Sequence, residues 1–208
     1  MQKMIVAGIG TEVGKTVVSA ILVKMLGGNY WKPVSCGPYS KRDPLVVEQW
    51  IEDPTVTYFP EAYHLNAPLS PHHAARLQGV DLDPEKVVMP FSSRPLIIES
   101  CGGVMVPFND HMLTIDLFAS WDCDWVVVSK NYLGSINHTL LTIEALKARG
   151  ITPLGIIFNG EENLRSETFI LNHTKLPMLA RIREESDINS KVIWRYSESW
   201  KKTNFHRV

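Results

Sequence analysis

Two lysines, a threonine and two carboxylates stand out in this chain, because their types and spacing suit the handling of phosphate. Lys15 and Thr16 close the segment Gly8-Ile9-Gly10-Thr11-Glu12-Val13-Gly14-Lys15-Thr16, which follows an apolar run from Met4 to Ala7 and precedes the apolar stretch Val17 to Leu26. A glycine-rich turn between a buried strand and a helix lets backbone N–H groups approach phosphate oxygens, with the positive end of the helix dipole behind them. In such a loop Lys15 reaches the β- and γ-phosphates and the Thr16 hydroxyl binds Mg²⁺. Five residues separate Gly8 from Gly14 rather than four, so the loop is one residue longer than the common form. A plain glycine turn is the competing reading, and Gly-Lys-Thr between a strand and a helix weighs against it. A bound nucleoside triphosphate is expected.

The remaining chemistry sits where other apolar runs end. Lys32 follows Tyr30-Trp31, and Pro33 biases it toward an extended backbone. A strand-end lysine is usually just solvated. A second cation beside Lys15 makes sense where a site gathers more negative charge than a triphosphate alone, so Lys32 is expected to serve charge stabilisation rather than the fold. Glu99 ends the run Leu96-Ile97-Ile98 and precedes Ser100-Cys101-Gly102-Gly103. Phosphate-loop enzymes hold Mg²⁺ with a carboxylate at such a position, although an exposed Glu at a strand-to-loop turn would look the same. Asp43, before Pro44, is either a second Mg²⁺ ligand or the N-cap of a helix. Thr16, Asp43 and Glu99 together form a chemically sensible Mg²⁺ set. His72 and His73 follow Ser70-Pro71 in the first turn of a short helix, where the dipole favours a neutral structural role.

These residues need a scaffold that brings strand ends together. Strand-like runs are read at Met4–Ala7, Tyr30–Val34, Leu96–Ile98, Trp125–Val128, Leu154–Phe158 and Met178–Ala180, with helices over about 17–26, 44–51, 71–78 and 137–148. Continuous apolar strands alternating with helices predict one α/β domain over 1–208: a mostly parallel sheet with helices on both faces and the site at the carboxyl ends of its strands. The net charge of −1 leaves no electrostatic footprint for nucleic acid, and no apolar run is long enough to span a membrane. Cys36, Cys101 and Cys123 are odd in number and lack metal-ligand spacing, which fits reduced thiols and a cytoplasmic protein. The segment Lys201 to Arg207 is expected to be a solvated tail.

Thr11-Glu12-Val13-Gly14-Lys15-Thr16, Lys32-Pro33-Val34, Ser70-Pro71-His72, Glu99 with Gly102-Gly103, and Leu133-Gly134-Ser135-Ile136-Asn137-His138 occur in that order. In this the chain resembles the dethiobiotin synthetases, P-loop NTPase-like enzymes of biotin synthesis. The resemblance implies a homodimer with a shared active site and three substrates: ATP, CO₂ or bicarbonate, and diaminopelargonate. A carbamate formed on one amine attacks the γ-phosphate, and the second amine closes the ureido ring. The resemblance also assigns catalysis to Lys32, Lys15 and Thr11, and Mg²⁺ to Thr16, Asp43 and Glu99. ATP falls to Glu12, Val13, Gly14, Lys15, Thr16, Val17, Asp43, Glu99, Ser100, Cys101, Gly102 and Asn159. Diaminopelargonate falls to Cys36, Gly134, Ser135 and Asn137, the last three reaching into the partner's site.

Several positions depart from the family pattern. Gly10 stands for a polar residue, Ser100-Cys101 for Gly-Ala, Cys36 for Ser, and Asn159-Gly160 for Asn-Asp, while residues 183–185 match the base-binding loop poorly. The readings left beside this one are a partitioning-type ATPase, which would carry a further lysine where Ile9 and Gly10 stand, and a catalytically lapsed nucleotide-binding module.

Overall fold

In the computed structural model of the protein, residues 1–202 and 205 are described. The strands are β1 (Lys3–Gly8), β2 (Asn29–Trp31), β3 (Val34–Cys36), β4 (Tyr58–Phe59), β5 (Tyr63–Leu65), β6 (Leu96–Glu99), β7 (Asp124–Lys130), β8 (Gly155–Asn159) and β9 (Met178–Ile182). The helices are α1 (Lys15–Leu26), α2 (Asp43–Ile51), α3 (Pro71–Gln78), α4 (Thr114–Ala119), α5 (Ser135–Lys147), α6 (Leu164–Thr174) and α7 (Ser190–Trp200). Seven strands form one sheet in the order β4-β2-β6-β1-β7-β8-β9, and every ladder in it is parallel. Met4, Ile5, Val6 and Ala7 are all fully buried, although successive side chains point to opposite faces. Both faces of the central strand are therefore covered, as the unbroken apolar run predicts.

The expected strand Tyr30–Val34 is in fact two. β2 stops at Trp31, because Pro33 has no N–H with which to continue the ladder. Pro33 instead accepts the N–H groups of Ala62 (2.8 Å) and Tyr63 (3.1 Å), and β3 pairs with β5 in a separate parallel ribbon. Lys32 is thus put down at the carboxyl edge of the main sheet, where the phosphate loop also emerges from β1.

Helix starts differ from the sequence reading in two informative places. α2 begins at Asp43 with Arg42 at its N-cap, so the Asp43 side chain is released from capping. α5 begins at Ser135 rather than near Asn137, and Gly134 holds the N-cap at φ +100°, a backbone open mainly to glycine. Asn137 therefore lies inside the first turn and is no cap.

The tail expectation needs correction at one residue. Lys201 and Lys202 are exposed, but Phe205 is buried and stacks on Trp200 with ring centroids 6.0 Å apart. Its carbonyl accepts the Gln2 Nε2 amide at 2.6 Å, tying the end of the chain to its beginning. An aromatic ring gains enough from burial to offset ordering a short segment. Thr203, Asn204, His206 and Arg207 lie outside the described residues. Phe205→Ala should lower unfolding stability by about 3 kcal/mol in urea denaturation. An unchanged midpoint would return the tail to solvent.

Candidate active site

The carboxyl ends of β1, β2 and β6 lie side by side, with Val6 paired to Glu99 and Tyr30 to Ile97. Glu99 is only 1 % exposed. Such a carboxylate stays charged only if its oxygens are matched by donors. Its Oε1 accepts Thr16 Oγ1 at 2.9 Å and Lys32 Nζ at 2.8 Å, and its Oε2 accepts the Tyr30 hydroxyl at 2.8 Å. Lys32 also donates to Asp43 Oδ2, and Thr16 Oγ1 lies 3.2 Å from Asp43 Oδ1. The exposed-turn reading of Glu99 and the capping reading of Asp43 both fall. So does the separation of Lys32 from the fold, because its buried ammonium joins two carboxylates.

Burial alone would drive the proton off Lys32, but Glu99 and then Asp43 outweigh it, and the pKa moves above that of an ordinary lysine. Lys15 goes the other way. Burial and then repulsion from Lys32 lower it to about 8. Its Nζ bridges the loop to the Gly10 carbonyl at 2.8 Å. Burial pushes the Cys36 thiol up to about 12 and raises that of Cys101 as well, so both are neutral, weak hydrogen-bond partners.

A cleft of about 720 Å³ opens over this cluster. Of the residues expected in the site, Thr11, Glu12, Gly14, Lys15, Thr16, Val17, Lys32, Cys36, Asp43, Glu99, Cys101 and Gly102 line it. Val13, Ser100, Asn159, Gly134, Ser135 and Asn137 do not line it. Ser100 is buried beside Glu99, and its hydroxyl has no hydrogen-bond partner among the described residues. Asn159 ends β8 and donates its amide to the Val13 carbonyl at 2.9 Å, behind the phosphate loop. A Cβ on Gly14, which sits at φ +96°, would come within 2.3 Å of that amide, so this position demands glycine.

The sequence reading missed Tyr30 as the partner of Glu99, and Pro68, Leu69, Ser70 and Val106 as walls of the cleft. Period-2 spacing from Lys32 would have pointed to Tyr30. Ser70 was legible as a helix N-cap and as part of the Ser70-Pro71-His72 motif, with no role in the site assigned to it. It holds that position but makes no side-chain cap bond, and it faces the cleft.

Thr16, Asp43 and Glu99 offer a convergent set of hard oxygen donors, the kind that suits Mg²⁺. Among the described residues no three His, Cys, Asp or Glu side chains form a metal cluster. Two carboxylates and a hydroxyl leave room for the phosphate oxygens and waters that Mg²⁺ prefers to keep.

The family model described as "AAA domain" matches residues 2–192. The chain is 41% identical to the ATP-dependent dethiobiotin synthetase BioD of Chlamydia pneumoniae, across 97% of this chain and 90% of that protein. It is 43% identical to the enzyme of the same name from Christiangramia forsetii, across 95% of each. The chain belongs to the dethiobiotin synthetase family. Among solved structures it is similar to the cell division ATPase MinD of Pyrococcus furiosus (TM-score 0.57, 17% identity, covering 97% of this chain and 99% of that one). A ParA family ATPase of Chlorobium tepidum is also similar (TM-score 0.56, 11% identity, 95% and 97%). At those identities the likeness is one of fold. No helix among the described residues is long and apolar enough to cross a membrane.

In this synthetase-family site, Lys15 gives stability a defined pH dependence. Below pH about 8 it is charged in both the folded and unfolded states. Between about 8 and its ordinary value of 10.5, the folded protein has released a proton that the unfolded chain still holds, so stability rises with pH through that window. Lys15→Met should remove this rise. Urea unfolding of both proteins at pH 7.5 and 9.5 checks it, and identical slopes would refute the depressed pKa.

Proposed function

We propose that the protein is an ATP-dependent ligase that builds the ureido ring of dethiobiotin from diaminopelargonate and CO₂, releasing ADP and phosphate. One observation carries the reading. Two lysine ammonium groups, Lys15 and Lys32, stand with Thr16, Asp43 and Glu99 in one cleft over the phosphate loop.

The chemistry explains the second cation. CO₂ first adds to one amine of the substrate, giving a carbamate. A carbamate oxygen then attacks the γ-phosphate, which brings two anions together, and ADP leaves. The second amine displaces phosphate from the mixed anhydride and closes the ring. Lys32 offsets the carbamate charge, while Lys15 and the Thr11 side chain face the phosphates and the carbamate. Catalysis of this kind is mostly positioning and charge stabilisation. Thr16, Asp43 and Glu99 would hold Mg²⁺, which neutralises phosphate charge when bound. Cys36 lines the substrate end, and Asn159, whose amide nitrogen is engaged by Val13, has only its Oδ1 to give the nucleotide base.

The activity test is phosphate release from MgATP that depends on both diaminopelargonate and bicarbonate, with dethiobiotin identified by mass. Phosphate release indifferent to both substrates would instead support a partitioning-type ATPase, and nucleotide binding with no phosphate release a catalytically lapsed module.

Lys32→Gln should lower kcat by at least ~10²-fold, the scale for losing one preorganised electrostatic partner. It should also cost ~3 kcal/mol of stability, since it leaves Glu99 buried without its counter-charge. A variant with near-normal turnover would sink the assignment of Lys32.

The substrate carboxylate is assigned to the first turn of α5 in a second copy of the chain, where backbone N–H groups and the helix dipole attract anions. Two facts support a homodimer. Gly134, Ser135 and Asn137 do not line the cleft of their own chain, and Leu133 and Leu141 are exposed apolar residues on the same segment. Asn137 is exposed, so Asn137→Asp adds a repelling charge without straining the backbone. Mixed Lys32→Gln and Asn137→Asp homodimers, each inactive, should regain activity on subunit exchange, because half the heterodimer's sites carry neither change. No recovery despite verified heterodimers rules out the shared site.

A further inference from the structure

Glu61 has no place in the chemistry above, yet its carboxylate is nearly enclosed, with a side chain only 4% exposed. Its two oxygens are divided between the two ends of one loop. Residues 37–42 link β3 to α2, and the residues that flank this loop, Cys36 and Asp43, both line the cleft. Ser35, just before Cys36, donates its hydroxyl to Glu61 Oε1. Arg42, just before Asp43, donates Nη1 to Glu61 Oε2 at 2.6 Å. The Arg42 guanidinium also lies 3.6 Å from the centre of the Tyr39 ring, which meets His64 edge-on. His64 Nδ1 in turn lies 3.2 Å from the Ser35 hydroxyl.

Lys32 and Thr16 meet the carboxylate of Asp43, but the residue is weakly held at its backbone. Its side chain is 33% exposed and it is the first residue of α2, where no intrahelical bond holds its N–H. The direction of its carboxylate toward Thr16 and Lys32 therefore depends also on how the chain enters the helix. Arg42 is that entry residue, in an extended backbone at φ −64°, ψ 139°, and its side chain is held by Glu61. A charge-assisted hydrogen bond from a guanidinium whose plane is already stacked fixes both distance and direction.

We propose that Glu61 is a positioning residue: by gripping Ser35 and Arg42 it sets the Asp43 carboxylate against Thr16 and Lys32. The inference rests on the reading of Asp43 as a Mg²⁺ ligand. Outer partners that orient a ligand commonly change metal affinity 10- to 100-fold when removed. The competing reading is a buried ion pair that serves only the fold.

The two readings differ when both charges are removed. Glu61→Gln alone leaves Arg42 uncompensated and should lower the melting temperature. Glu61→Gln with Arg42→Met removes the pair altogether, which is often neutral for stability. The measurement is the affinity for a non-hydrolysable ATP analogue by calorimetry, with and without Mg²⁺, beside the Mg²⁺ concentration for half-maximal turnover. Positioning predicts that the gain in affinity from Mg²⁺ shrinks about tenfold in both variants, even where the double variant melts like the wild type. Restoration of the Mg²⁺ gain together with stability in the double variant overturns the proposal, as does an unaltered Mg²⁺ gain in Glu61→Gln. Asp43→Asn is the control that separates the two levels. If it too leaves the Mg²⁺ gain unchanged, the metal reading of Asp43 fails and the role of Glu61 falls with it.

Discussion

The ammonium of Lys32, held between Glu99 and Asp43, is the interaction on which the rest of the site depends. A carboxylate as enclosed as Glu99 is costly in a low-dielectric interior unless a counter-charge and hydrogen bonds meet its oxygens. Lys32, Thr16 and Tyr30 meet them: Tyr30 from within β2, Lys32 just past its end, and Thr16 from the first turn of α1. The arrangement exists only if β2 and β6 are neighbours with level ends, if the chain leaves the sheet at Pro33, and if α1 starts beside them. The same group that makes Glu99 tolerable is the cation that the proposed chemistry needs.

The sheet order explains why these pieces meet. β1 lies between β6 and β7, so the chain leaves the centre toward one side through β2 and β6 and toward the other through β7, β8 and β9. A crevice forms outside the carboxyl ends where the winding changes direction, and the phosphate loop opens into it. The ParA family ATPase and the cell division ATPase MinD share this fold at 11% and 17% identity. The site of this chain is set locally, by Lys32 at the end of β2 and by the loop from Cys36 to Asp43 that brings a second carboxylate back to Thr16.

The departures from the family pattern fall into two kinds once their positions are known. Cys36 and Cys101 line the cleft as neutral thiols: Cys36 is a weaker hydrogen-bond partner than the serine it stands for, and Cys101 adds a sulfur where the pattern has alanine. Ser100 lies buried beneath the cleft, and its hydroxyl has no hydrogen-bond partner among the described residues. Nothing in the structure explains that serine.

Local sequence determined a good deal. Apolar runs of strand length, glycines at positions of positive φ, Gly-Lys-Thr before a helix, and a proline after Lys32 are consequences of backbone sterics and hydrogen bonding over a few residues. They were enough for the parallel α/β class, the phosphate loop, and Lys32 and Glu99 as candidates. Tertiary structure decided what no window of sequence contains. Asp43 could be a cap or a ligand until α2 was seen to start with Arg42 at its N-cap, leaving the carboxylate facing Thr16 and Lys32. Glu61 meets Ser35 and Arg42 only because β3 pairs with β5, and Phe205 meets Gln2 across the length of the chain. Those contacts join residues distant in sequence through packing and charge compensation, which depend on how the elements are placed in space and leave no local pattern to read.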